Sequence, residues 1–237
     1  MTMLTIYRTT LFVLSLTVIL PLKAATAVTG YLSAEQRQIA TLLPPPPSTD
    51  TPQNRADLQA VLAIQANRTA EQIAKAKRDD HLEDAAFPFA HEIFGPTFTV
   101  DRHPLTAALF RRVYQDFEQS LMPAKAFYGR PRPYEADSRV KPLLPPPEGD
   151  SYPSGHAMDS YLTALLLAQM VPEKRSALFE RAASNAQSRV IAGVHYPSDL
   201  EGGKLAATAL AARLLANPQL QADLQRARVE VRANLQL

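Results

Sequence analysis

The sequence predicts an all-α fold, a compact helical bundle without a sheet, and three observations carry that expectation. No stretch of useful length alternates apolar and polar residues as a half-buried strand would. Apolar residues recur instead at three- and four-residue spacing, as in Leu105, Leu109, Phe110, Val113, Tyr114, Phe117 and Leu121. The 20 prolines among 237 residues punctuate those segments: Pro52 and Pro104 stand at starts, and Pro44 to Pro47 follow an end. A hydrophobic fraction of 46% is enough for a buried core and excludes a disordered or collagen-like chain.

The elements follow in order. Residues 1–27 read as a secretory signal peptide: Arg8 supplies a positive start, Leu11 to Leu22 an apolar run too short to span a bilayer comfortably, and Ala25-Thr26-Ala27 a small-x-small cleavage signal. Residues 28–237 then form a single all-α domain. Ser33 to Gln36 fits a capping box opening a short helix through Leu43. Thr51-Pro52 opens a second helix with Leu58, Val61, Leu62 and Ile64 on one face, restarted at Thr69 to Gln72. A long amphipathic helix starts at His103-Pro104, and the proline-rich stretch from Arg130 to Gly149 is an ordered loop of the length that often carries function. Ala157 to Val171 is apolar almost all round, which predicts a central buried helix. Glu173 to Ala192 is amphipathic with Gly193 as its cap, and Ser198 to Leu215 is Ala-rich and helical.

Composition narrows the chemistry. Without cysteine there is no disulfide, thiolate metal site or cysteine nucleophile. Removing residues 1–27 takes away Arg8 and Lys23 and no acid, so the 25 basic residues fall to 23 against 23 acidic ones. No nucleic-acid binding is expected from a chain with no basic surplus, and after signal cleavage no segment remains that reads as a membrane span.

Three short clusters stand out. Ser154-Gly155-His156 lies where the loop meets the buried helix, and a helix start offers unpaired N–H groups and a positive dipole end to an anion. Asp199 follows His195 by four residues, within reach of its ring N–H. Lys125, Arg132 and Arg189 are three cations that suit the three nonbridging oxygens of a phosphoryl group. Each cluster alone has a plainer reading: a structural histidine, surface charges, a helix-starting turn, or His195 and Asp199 as two metal ligands.

Together, Lys125-x6-Arg132-Pro133, Pro153-Ser154-Gly155-His156 and Ser188-Arg189-x5-His195-x3-Asp199 resemble the three-part signature of the phosphatidic acid phosphatase type 2 and vanadium haloperoxidase superfamily. The signal peptide and the context of Tyr152 are most similar to its bacterial class A nonspecific acid phosphatases, from which Asp150 and Ala157 depart. The resemblance implies a periplasmic, metal-independent acid phosphatase with no cofactor, acting on small phosphomonoesters and forming a homo-oligomer. It implies catalytic roles for His195, His156 and Asp199, and phosphate binding by Lys125, Arg132, Ser154, Gly155 and Arg189. Asp199 would orient His195 as nucleophile, and His156 would protonate the leaving alcohol. A vanadium-dependent haloperoxidase and a lipid or polyprenyl phosphate phosphatase are the alternatives within the family, and a phosphate-binding protein the alternative outside it. Phe127, Tyr128 and Tyr152 are the candidates to stack on an aromatic leaving group.

Overall fold

A computed structural model describes residues 28–80 and 89–237, and the expected signal peptide lies outside them. The described residues contain no strand, in keeping with the all-α expectation. Their helices are α1 (Pro52–Asn67), α2 (Ala70–Arg78), α3 (Ala90–Phe94), α4 (Pro104–Tyr128), α5 (Pro133–Ala136), α6 (Gly155–Met170), α7 (Arg175–Ile191), α8 (Pro197–Leu215) and α9 (Pro218–Leu235). Helices α1, α4, α5, α8 and α9 each begin with proline, whose missing N–H costs nothing in a first turn.

The expected caps form. Thr51 Oγ1 accepts from Asn54 N, and Thr69 with Gln72 closes a reciprocal capping box. Ser33 and Gln36 make the same pair of bonds, Gln36 N to Ser33 Oγ at 3.2 Å and Ser33 N to Gln36 Oε1 at 2.9 Å. The expected helix through Leu43 nevertheless stops at turns and a 3-10 segment, Ala40–Leu42. The carbonyls of Gln36 and Gln38, which would carry a helix onward, accept instead from the Arg213 guanidinium, and Pro44 closes the segment. Three helices, α3, α9 and the single turn α5, were not expected; α5 forms inside the expected Arg130 to Gly149 loop, where Pro133 opens it and Glu135 accepts from Arg132 N at 2.7 Å, and α9 starts with the Asn217-Pro218 signal, Asn217 Oδ1 accepting from Gln219 N and Leu220 N.

Helix α6 is the axis of the molecule. Ala157, Met158, Leu162, Ala164, Leu166, Leu167, Ala168 and Met170 are all buried, and α6 packs against α7, α8 and α9. Helix α4 lies along α9, and α1 and α2 cover α7. Where α8 crosses the start of α6, a Cβ on Gly203 would stand 2.5 Å from the Ser154 carbonyl oxygen. Only glycine permits that approach. The first turns of α6 and α8 thereby meet beside the loop that carries Arg130 and Arg132.

Candidate active site

The start of α6, the C-terminal turns of α4 and α7, and the segment entering α8 converge on a cavity of about 190 Å³. Lys125, Arg132, Gly155, His156, Arg189 and His195 line it, with Tyr114, Phe117, Leu121 and Met122 as an apolar wall from α4. Six of the eight residues singled out in the sequence thus share one cavity, and Ser154 and Asp199 stand directly behind it, fully buried. Phe127, Tyr128 and Tyr152 are not in the wall. Phe127 is exposed, and the Tyr128 and Tyr152 hydroxyls donate to the carbonyls of Ala40, Leu43 and Pro44; the aromatic rings that line the cavity are those of Tyr114 and Phe117.

Ser154 caps α6, its Oγ accepting from Ala157 N at 3.4 Å and its own N–H donating to the Asp199 carbonyl at 3.0 Å. The N–H groups of the first turn are the orphan donors of a 16-residue helix, at the positive end of its dipole.

Three cations surround that end. Arg132 is held by main-chain carbonyls: Nε donates to Gly149 O at 3.0 Å, Nη1 to Val194 O at 2.9 Å and Nη2 to Glu148 O at 3.1 Å. Lys125 Nζ donates to the carbonyl oxygen of Asp150. That bond uses the backbone, so the departure from the family at Asp150 leaves it available. Arg189, completely buried, donates from Nη1 to Asp80 Oδ1 at 2.7 Å, while its Nε and Nη2 have no partner among the described residues. Unpaired buried donors on a guanidinium are costly, and an anion in the adjoining cavity would satisfy them.

His195 Nδ1 lies 3.3 Å from Asp199 Oδ2, an arrangement that places a proton on Nδ1 and the lone pair on Nε2. Nε2 in turn lies 3.3 Å from Arg132 Nη1, facing the cation cluster. Asp199 is fixed from every side. Oδ2 accepts from Ser151 Oγ at 2.6 Å and Tyr196 N at 2.8 Å, and Oδ1 accepts from Arg130 Nη1 at 2.6 Å. Arg130, absent from the sequence-based site, also bonds Asn54 Oδ1 and Asp57 Oδ2 of α1, each at 2.9 Å, and packs over the Tyr196 ring. Its only sequence signal is the Arg-Pro-Arg-Pro alternation from Arg130 to Pro133.

The electrostatics follow from burying like charges together. Burial, reinforced by Arg132, pulls the Lys125 ammonium down to about 7. Burial, then the Arg189 charge, pulls His156 down to about 4, against the opposing pull of Asp80. Burial also holds His195 well below the ordinary imidazole value, its bond to Asp199 notwithstanding. Asp199 would be raised by burial, but its bonds to His195, Arg130 and Ser151 keep it ionised. No group of three or more His, Asp or Glu residues able to hold a metal ion occurs among the described residues.

Comparison with known proteins gives a concordant picture. Residues 106–222 match the PAP2 superfamily model. A non-specific acid phosphatase of Salmonella typhi is 30% identical over 94% of this chain and 92% of its own length. That of Providencia stuartii is 30% identical over 80% of this chain and 79% of its own. An acid phosphatase of Zymomonas mobilis is 26% identical over 80% and 74%. Among solved structures, a bacterial vanadium-dependent iodoperoxidase is similar with a TM-score of 0.58 and 18% identity, this chain spanning 53% of that one. At that identity the likeness speaks for the fold alone. On the strength of the family match and of relatives 30% identical over four fifths or more of this chain, the chain belongs to the non-specific acid phosphatases of the PAP2 superfamily.

Proposed function

We propose that this protein is a phosphatase that hydrolyses small phosphomonoesters by a metal-independent, two-step transfer through His195. The observation that carries the reading is that His195 Nε2, turned from Asp199 towards Arg132 Nη1 at 3.3 Å, shares a cavity with a buried guanidinium, Arg189, whose Nε and Nη2 have no partner among the described residues. A nucleophile and an anion holder in one cavity are what phosphoryl transfer requires. Relatives named acid phosphatases over most of the chain support hydrolysis over the peroxidase reading.

In this mechanism the phosphoryl oxygens sit among Lys125, Arg132, Arg189, the Ser154 hydroxyl and the Gly155 N–H, where the charge of the transition state is spread. Asp199 keeps the proton on Nδ1 of His195, and Nε2 attacks phosphorus in line as the ester P–O bond breaks. His156 gives its proton to the departing alkoxide, then takes one from the water that hydrolyses the phosphohistidine. Vanadate, which adopts the five-coordinate geometry of the transition state, inhibits by occupying the same place. Export through residues 1–27 to the periplasm completes the reading.

The test is p-nitrophenol release from p-nitrophenyl phosphate in excess EDTA, comparing wild type with His195→Ala. The wild type turns over undiminished by EDTA, and the variant falls by at least about a thousandfold, the scale of losing a covalent nucleophile. Wild-type activity that disappears in EDTA, or survives in His195→Ala, refutes the mechanism.

A further inference from the structure

Helix α2 is followed by two adjacent carboxylates, its C-cap Asp79 and then Asp80, that face different tasks. Asp79 is wholly committed to holding helices together: it accepts from Ser188 Oγ at 2.5 Å, Arg181 Nη2 at 2.8 Å and Lys75 Nζ at 2.5 Å. Asp80 instead touches two residues of the cavity wall that no other described residue joins. Its Oδ1 accepts from Arg189 Nη1 at 2.7 Å, its main-chain carbonyl lies 3.3 Å from His156 Nε2, and Oδ1 lies 4.0 Å from that nitrogen. The Asp80 side chain is 27% exposed, whereas that of Arg189 is completely buried.

Resting on the phosphatase reading, we infer that Asp80 is a positioning residue for the leaving-group step, coupling the guanidinium that holds the phosphoryl group to the histidine that protonates the departing alcohol. Two geometric facts carry this. A guanidinium is planar, so fixing Nη1 on a carboxylate fixes the directions of Nε and Nη2, the two donors without a partner among the described residues. An imidazolium donates from both ring nitrogens, and one of them is met by the Asp80 carbonyl with the carboxylate just beyond, leaving the other to serve the leaving oxygen. Lys125 and Arg189 oppose a charge on His156, and Asp80, in the turn after α2, is the carboxylate that offsets them. Asp80 thus meets His156 through its main-chain carbonyl with its carboxylate 4.0 Å away, where Asp199 meets His195 through the carboxylate itself. In the step itself the ester P–O bond breaks, the bond from His195 Nε2 to phosphorus forms, and the proton moves from His156 to the departing oxygen.

Leaving-group dependence separates this role from a merely structural one. A nitrophenolate departs without a proton, whereas an alkoxide needs one, so loss of general acid help falls on alkyl phosphates. The experiment measures kcat/KM of the full chain for ethyl phosphate and for p-nitrophenyl phosphate in wild type, Asp80→Asn and Asp80→Ala. Asp80→Asn keeps an acceptor for Arg189 but removes the charge near His156. Its ethyl phosphate value falls by about tenfold or more while the p-nitrophenyl phosphate value falls by less than about threefold, within the range that proton transfer contributes. Asp80→Ala shows the same split, with both values lowered further because Arg189 loses its tether. Asp80→Glu restores part of the ethyl phosphate activity. Equal losses on the two substrates, or no loss on either, overturn the coupling. A wild type that cleaves neither substrate overturns the phosphatase reading, and the coupling with it.

Discussion

Lys125, Arg132 and Arg189 share a cavity wall although each carries a positive charge, and burial pulls all three below their ordinary values. The folded state therefore resists protonation at Lys125 and His156 while the unfolded chain does not. His156 is lowered from 6.5 to about 4, so the stability it leaves intact above pH 6.5 is lost as pH falls towards 4. Lys125 is lowered from 10.5 to about 7, so its loss builds as pH falls from above 10 and is complete below about 7. A dianion between the cations reverses both. Sulfate, dianionic throughout, is accordingly expected to raise the thermal midpoint more at pH 5 than at pH 8, measured against sodium chloride of equal ionic strength. The same rise at both values would mean that sulfate does not reach the cluster. These residues were legible in the sequence because their motifs are local. Arg130 and Asp80 were not, because they act on partners 69 and 109 positions away, a separation that carries no spacing signal.

Among the elements, the crossing of α8 over the first turn of α6 sets the geometry of the cavity, since it holds Asp199 behind His195 and Ser154 at the cap. Gly203 makes the crossing possible. Gly203→Ala is expected to push α8 off the Ser154 carbonyl, costing about 1–3 kcal/mol of stability, as overpacking does. It should lower kcat by more than the thermal midpoint alone explains; calorimetry and p-nitrophenyl phosphate kinetics on one preparation check this, and an unaltered kcat would show that the crossing does not govern the site. Helices α1, α2, α4, α6, α7 and α8 were legible from their caps and periodicity. The segment after Ser33 was not, because its cap is real but Arg213, from α8, takes the carbonyls a helix would use. Helix α9 carries a readable Asn-Pro start, but its apolar stripe is sparse: of its 18 residues only Leu220, Leu224, Ala227 and Val231 are buried.

At the scale of the whole molecule, the all-α class was legible because a chain without alternating runs has no sheet to build, and the all-round apolar character of α6 already marked the helix that others surround. Which helices surround it was not, since pairings such as α4 with α9 depend on long-range fit. The molecule holds this arrangement with no covalent cross-link. Its prolines supply a different kind of restraint. Those opening α1, α4, α5, α8 and α9 forfeit no hydrogen bond in the folded protein, yet each removes backbone freedom from the denatured chain. Pro218→Ala, remote from the cavity, is therefore expected to lower stability by about 0.4–1 kcal/mol in a denaturant titration with kinetics untouched, and a stability equal to wild type would refute it. Part of this protein's resistance to unfolding is thus written into the ensemble it leaves behind, and a homologue gains robustness by adding prolines at helix starts without altering a single contact of the native state.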